Sequence, residues 1–491
     1  MNGGNRMTET KHVIEQPVTY NTAVRYNEQH SRFDALADKK RLAIVGAPNG
    51  DYTVSGTIYY VSPYGDDTND GKSPASAWRT LPRVAAAKDD FKEGDAVLFE
   101  RGGVYRGQVF VRSGMTFASY GEGPKPCIYG SWRNYAEADL WQATERPNVW
   151  KVVVPEENND IGNIVFDHGV ACGRKQQTND LNNDTEFYFS ADEQAVYLYL
   201  ATGNPGEVYE DIELAARFNT VFAEEPGTHD VLIENLCIKY AGCHGIQFRN
   251  TSHHITVRSC EIGYVGGCLL KWGNPDGSSN FARFGNGFEI VGNCHHITVE
   301  NCWVYQCFDA GITHQSSGAV HVDVDNIRFA NNLLEYSPYN IEYYVHREYG
   351  TMTNIVYENN VMRFAGFGFG TYDRFGSNTS VVSHICAYYR AQPCENFIIR
   401  NNIMDTSYRH LTSVAYPNDP EGRGPTITGN TYVQSPFEND DTKASVALDL
   451  DVYEKGWHVF EENTYWCNSQ EEMEQSVAKI DLAPAAVYYD I

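Results

Sequence analysis

One phrase recurs through the second half of this chain: DVLIENLCI from Asp230, HITVRSCEI from His254, HITVENCWV from His296, NIRFANNLL from Asn326, NIVYENNVM from Asn354 and NFIIRNNIM from Asn396. Counted from the first apolar residue of each (Val231, Ile255, Ile297, Ile327, Ile355, Phe397), the steps are 24, 42, 30, 28 and 42 residues. A unit repeated at such a period cannot bury its apolar face alone and must stack on its neighbours. The chain is therefore constrained to a solenoid with coils of 24 to 30 residues and two longer excursions.

Within each phrase apolar and polar residues alternate, as in one short strand. The fifth position is Asn235, Asn301, Asn331, Asn359 or Asn401, with Ser259 the departure. Stacked coils would align these amides as a hydrogen-bonded ladder, a structural role with no chemistry. A second strand comes next in GIQF (Gly245), LLKW (Leu269), GITH (Gly311), NIEY (Asn340), GFGT (Gly368) and HLTS (His410). A third strand of looser sequence would complete each coil.

The expected fold class is all-β, a right-handed parallel β-helix with an antiparallel β insertion between its N-terminal and central coils. Residues 1–57 read as an N-terminal extension or cap and 58–131 as the first coils. Residues 132–218, with hairpin spacing and no Asn ladder, read as the insertion, 219–470 as the main β-helix with the functional face, and 471–491 as a C-terminal tail or cap. ASAWRTLPRVAAAKDDF is the only segment with a convincing helical pattern.

The repeat I-x-V-x-N-[CN]-x-I followed by G-I-x, with YYVSPYGDDTNDGKSPASAWRTL and GDAVLFERGGVYRG upstream, resembles the right-handed parallel β-helix proteins of the pectate-lyase-like superfamily, over about Ile58 to Trp466. CFDAGITHQ (Cys307–Gln315) followed by NIEYY (Asn340–Tyr344) is similar to β-helix glycoside hydrolases. The resemblance implies carbohydrate chemistry. The fold also carries lyases, epimerases and phage adhesins, so the site has to be argued on its own residues.

If the apolar residue of each second strand points inward, its successor points out. The outward column is then Gln247, Lys271, Thr313, Glu342, Gly370 and Thr412. Coils stack about 4.8 Å apart, so Asp309, at the turn before Ile312, and Glu342, one coil on, converge on one face. Two carboxylates flanking a cleft suit glycoside hydrolysis, one protonated to release the leaving oxygen and the other ionised as nucleophile or base. Asp373 is a third catalytic candidate. Lys271, Trp272, His314, Gln315, Tyr344, His346, Arg347, Tyr372 and Arg374 are the expected substrate-binding side chains. Coil geometry permits either stereochemical outcome, with retention favoured.

A net charge of −26 repels nucleic acid, anionic membranes and polyuronate chains, so the expected substrate is a neutral oligosaccharide or glycoside. A polysaccharide lyase acting on a uronate-containing glycan, with a Lys or Arg base, is the first rival, and the net charge and the lone Lys271 argue against it. A non-catalytic carbohydrate-binding solenoid is the second. The N-terminus has no apolar h-region, so a cytoplasmic location is expected, and the 12 cysteines read as reduced core thiols. A homo-oligomer is compatible with the sequence. YGDDTNDG at Tyr64 has the composition of a calcium loop but lacks its downstream Glu and reads as a turn. His253, His254, His295 and His296 form two HH pairs at one turn of successive coils and read as solvated turns. No cofactor and no metal are expected. No phosphate loop and no G-x-S-x-G elbow occurs.

Overall fold

The computed structural model describes residues 28–155, 159–271, 282–316, 321–345, 350–374, 382–387, 394–413, 424–433, 445–447, 459–466, 477, 481 and 483–488. The chain is a right-handed parallel β-helix. Three long parallel sheets, of eleven, eleven and nine strands among the described residues, run its length.

Each recurring phrase supplies two of those strands rather than one. His295–Glu300 belongs to the first sheet and Trp303–Cys307 to the second. The chain turns between them at the fifth position, where Asn235, Ser259, Asn301, Asn331, Asn359 and Asn401 all take φ between 52° and 59°. Asn tolerates this left-handed conformation better than other side chains with a Cβ. The hydrogen-bonded ladder lies one residue later. Asn332 Nδ2 donates to Asn360 Oδ1 (3.0 Å), Asn360 to Asn402 (2.9 Å), Asn402 to Asn430 (3.0 Å), Asn430 to Asn463 (3.1 Å), and Asn463 to Asp481 Oδ2 (3.1 Å). The expected ladder position was thus off by one. The corner Asn is held by backbone conformation, and its buried neighbour carries the amide stack.

The interior is a set of aligned apolar files, such as Ile238, Ile262, Val304, Leu334, Met362 and Met404 on consecutive rungs. Burying each such side chain contributes about 1.5–3 kcal/mol, and every coil adds more, such as Ile297 and Val299 from a single strand. The eleven cysteines among the described residues are buried free thiols.

Two further elements pack against the solenoid. Strands between Gln142 and Ala216 form antiparallel sheets against its flank, with one parallel pair at Arg174–Lys175. The 18-residue helix Glu28–Val45, inside the segment expected to be a mere extension, lies along the second sheet. Its Ala37 and Ile44 are buried, its Arg41 pairs with Glu335 (3.0 Å), and its Asp34 pairs with Arg363. The spacing Phe33, Ala37, Arg41, Ile44 carried that helical signal. The segment read as the one helix contains the six-residue helix Leu81–Ala86. Among the described residues no helix is long and apolar enough to cross a membrane.

Candidate active site

The nine-stranded sheet sets the outward column by its register. Gln247 pairs with Glu289, Glu289 with Thr313, Thr313 with Glu342, and Glu342 with Cys386. Three expected members are displaced, one of them Thr412, which pairs with the core residue Ile385 and leaves Ser413 opposite Cys386. After Gly266 and Gly267, whose φ values are 98° and 100°, the chain leaves the stack as an antiparallel hairpin of Cys268–Lys271 with Ala282–Phe284. The rung is then filled by Phe288–Val291, and Glu289 stands where Lys271 was expected. Gly370 lies in the helical turn Phe369–Tyr372, and Ser383–Ala387 takes its rung. The Lys271 side chain and the residues Trp272, His346 and Arg347 lie outside the described residues.

Glu342 is buried and accepts hydrogen bonds at Oε2 from Gln315 Nε2 (2.7 Å) and Thr313 Oγ1 (3.3 Å). Burial, then the negative charge of Asp309, pushes its carboxyl up to about 8, with Glu289 adding to the effect. Asp309 sits at the turn into the strand Ala310–Gln315, its N–H donating to Gly285 O (2.9 Å). Its Oδ1 accepts from Arg374 Nη2 (2.8 Å), and that guanidinium lies 4.5 Å over the Phe308 ring while also donating to Phe308 O. Tyr339 packs with Ala310 and Cys386 at the same rungs, its phenol pushed well above its ordinary range by burial and neighbouring negative charge.

Glu289 is the carboxylate that the sequence reading passed over. Its Oε2 accepts from Gln247 Nε2 (3.1 Å) and lies 2.6 Å from His244 Nε2. His244 Nδ1 accepts the backbone N–H of Asn286 (3.1 Å), so the ring proton sits on Nε2, directed at Glu289. The phrase GFEIV from Gly287 repeats the glycine-apolar-polar order of GIQF and GITH, and that was the available signal. His244 carried no comparable one.

His314 belongs to the interior, not to a sugar site. It lies two residues past Ile312 on the same face of its strand, is fully buried, and has Nε2 2.5 Å from the Tyr357 hydroxyl. Burial lowers its pKa to about 3. Strand alternation already required this, since Ile312 and His314 cannot face opposite ways. Asp373 is likewise turned away from the pair: its carboxylate holds Arg283 (2.7 Å) and the Lys175 N–H (2.7 Å) where the insertion meets the solenoid. Gln315 and half-buried Tyr344 pair across consecutive rungs beside Glu342. Tyr372 is half-buried with its ring 6.5 Å from Tyr408. The carboxylates of YGDDTNDG close turns: Asp66 accepts from Thr68 N (2.9 Å), and Asp67 from Arg79 N (2.8 Å) and Thr80 N (3.0 Å).

No family model matches the chain. A lacto-N-biosidase of Bifidobacterium longum subsp. longum is 32% identical over 118 residues, a stretch that is 22% of this chain and 7% of that protein. Among solved structures, the complex of XylC with xylose aligns at 12% identity and TM-score 0.47, over 87% of this chain and 86% of that one. The GH136 lacto-N-biosidase from Eubacterium ramulus aligns at 14% identity and TM-score 0.45, over 94% and 70%. The family 28 exopolygalacturonase of Yersinia enterocolitica aligns at 13% identity and TM-score 0.44, over 84% and 72%.

Proposed function

We propose that this protein is a glycoside hydrolase acting on a neutral oligosaccharide or glycoside, with Glu342 as proton donor and Asp309 as its ionised partner. The observation that carries the reading is the opposed environment of the two carboxyls. Glu342 is buried beside negative charge, which favours its protonated form near neutrality, while Asp309 is ion-paired to Arg374. Titratable groups whose surroundings separate their protonation states are what acid and base roles require. Glu342 would give its proton to the leaving glycosidic oxygen. Asp309 would stabilise the positive charge developing at the anomeric carbon, either attacking it or activating water.

Thr313 and Gln315 hold the Glu342 carboxyl in place, and Glu289 with His244 offers acceptor and donor groups two rungs away for sugar hydroxyls. The match to a lacto-N-biosidase supports a glycosidase.

The test is a panel of aryl glycosides and neutral oligosaccharides assayed for released reducing sugar, with uronate polymers assayed for ultraviolet-absorbing unsaturated ends. Release from a neutral substrate, lost in Glu342→Gln, is the expected result. Unsaturated product from a uronate polymer would overturn the proposal. The anomer first released, read by NMR, distinguishes attack by Asp309 (retention) from attack by water (inversion).

A further inference from the structure

Two imidazole pairs stand on consecutive rungs at one corner of the first sheet. His253 lies over His295 with ring centroids 4.8 Å apart and planes 5° apart, and His254 over His296 at 4.5 Å and 17°. His229 stacks on His253 at 5.1 Å. Within each rung the two rings meet edge to face. His253 Nδ1 is 2.7 Å from His254 Nδ1, and His295 Nδ1 is 2.9 Å from His296 Nδ1. Ligand atoms from His253, His254 and His295 all lie within 4.8 Å of one another.

The fold does not account for these residue types. His254 and His296 occupy a corner with φ of 55° and 56°, which other coils fill with Asp230, Asn326, Asn354 and Asn396 at φ 53–55°. The rung partners of His295 further along the sheet are Asp325, Thr353 and Glu395. A corner that Asn or Asp serves conformationally has here received four imidazoles with their Nδ1 atoms turned toward one another. One proton at most fits between two such nitrogens, so each pair keeps a lone pair facing its neighbour.

We propose that His253, His254 and His295 bind a divalent transition-metal ion of the zinc class, with water in the fourth position. Imidazole nitrogens suit such ions, at about 2.0–2.1 Å in tetrahedral geometry. That places ligand nitrogens about 3.3 Å apart, a widening of about 0.6 Å for the His253–His254 pair, which half-buried and exposed rings reach by small rotations. Asp230, bonded to His229 Nδ1 (2.9 Å), and Asp325, on the rung after His295, place negative charge on either side of the cation. The ion would clamp two coils whose equivalent positions lie 42 residues apart in sequence. It lies on a different sheet from Glu342 and Asp309, so it stabilises the stack and takes no part in hydrolysis.

The test uses the untagged full chain, stripped with EDTA, titrated with Zn²⁺ by calorimetry and with Co²⁺ by visible absorption. One ion per chain, a rise in Tm that saturates with binding, and the absorption of four-coordinate Co²⁺ are expected. His254→Asn and His253→Thr install the residues that other coils of this chain use at the same positions, so both should fold. Each should weaken binding at least about 10-fold and abolish the rise in Tm, while His321→Ala, at an exposed histidine outside the cluster, should change neither. Failure of the parent to bind either ion, or undiminished binding in folded His254→Asn, would overturn the proposal.

Discussion

Glu289 and Glu342 face the same way from strands two rungs apart, with Thr313 directly between them, and each is held by a glutamine, Gln247 for Glu289 and Gln315 for Glu342. Their settings then diverge. Glu289 has the ring proton of His244 directed at it, whereas Glu342 receives only neutral donors and feels Asp309 and Glu289 as added negative charge.

Glu342→Gln should reduce kcat on an aryl glycoside by about 10²–10⁴-fold, the usual contribution of a positioned general acid. The substitution keeps the shape of a side chain whose neutral form the fold already favours, so Tm measured by calorimetry should be unchanged or raised.

Activity should fall as pH rises through about 8, because the proton donor is then lost. Stability should move in the same direction. The folded-state pKa lies above the ordinary value of 4.5, so the contribution of Glu342 is complete below about 4.5 and is lost as pH climbs to about 8. Denaturant titrations from pH 4 to 9 on the parent and on Glu342→Gln isolate that slope. Asp309→Asn removes one cause of the elevation, so the alkaline limb of its residual activity should move to lower pH.

Asp373→Asn should act on stability and not on chemistry. It breaks a buried pair with Arg283 and leaves the guanidinium uncompensated, at a cost of about 3–5 kcal/mol. Urea unfolding should show the loss, while KM and kcat of the folded fraction stay within about 3-fold of the parent.

His314→Phe should leave sugar binding intact. The ring lies among Phe329, Tyr343 and Tyr357, and its replacement strands the Tyr357 hydroxyl at about 1–3 kcal/mol. A lowered Tm with unchanged KM is the expected pair of readings. A rise in KM with unchanged Tm would return His314 to the substrate site.

Asn360→Ala interrupts the amide ladder between Asn332 and Asn402. Each interrupted buried group costs about 1–3 kcal/mol, so unfolding should shift by several degrees. Asn359→Ala, one residue earlier at the φ 56° corner, should cost less, about 1–2 kcal/mol of backbone strain.

The architecture was legible because a solenoid repeats one local problem. Every coil buries the same apolar files and turns the same corners, so period and alternation appear directly in the string of residues. Alternation even contained the interior placement of His314. The sequence also held Glu289 in GFEIV and the helix Glu28–Val45 in its apolar spacing.

What only the tertiary structure decided is where the chain leaves the stack and what surrounds each carboxyl. Gly266 and Gly267 divert Lys271 out of the column and bring Glu289 into it. Asp373 is drawn into an ion pair with Arg283 and accepts the Lys175 N–H of an insertion roughly 200 residues upstream. Glu342 becomes a proton holder through burial and through Asp309 and Glu289, which come from other coils. Strand pattern is a property of neighbouring residues along the chain, whereas protonation depends on desolvation and on charges a few ångströms away in space, and those distances exist only once the coils are stacked.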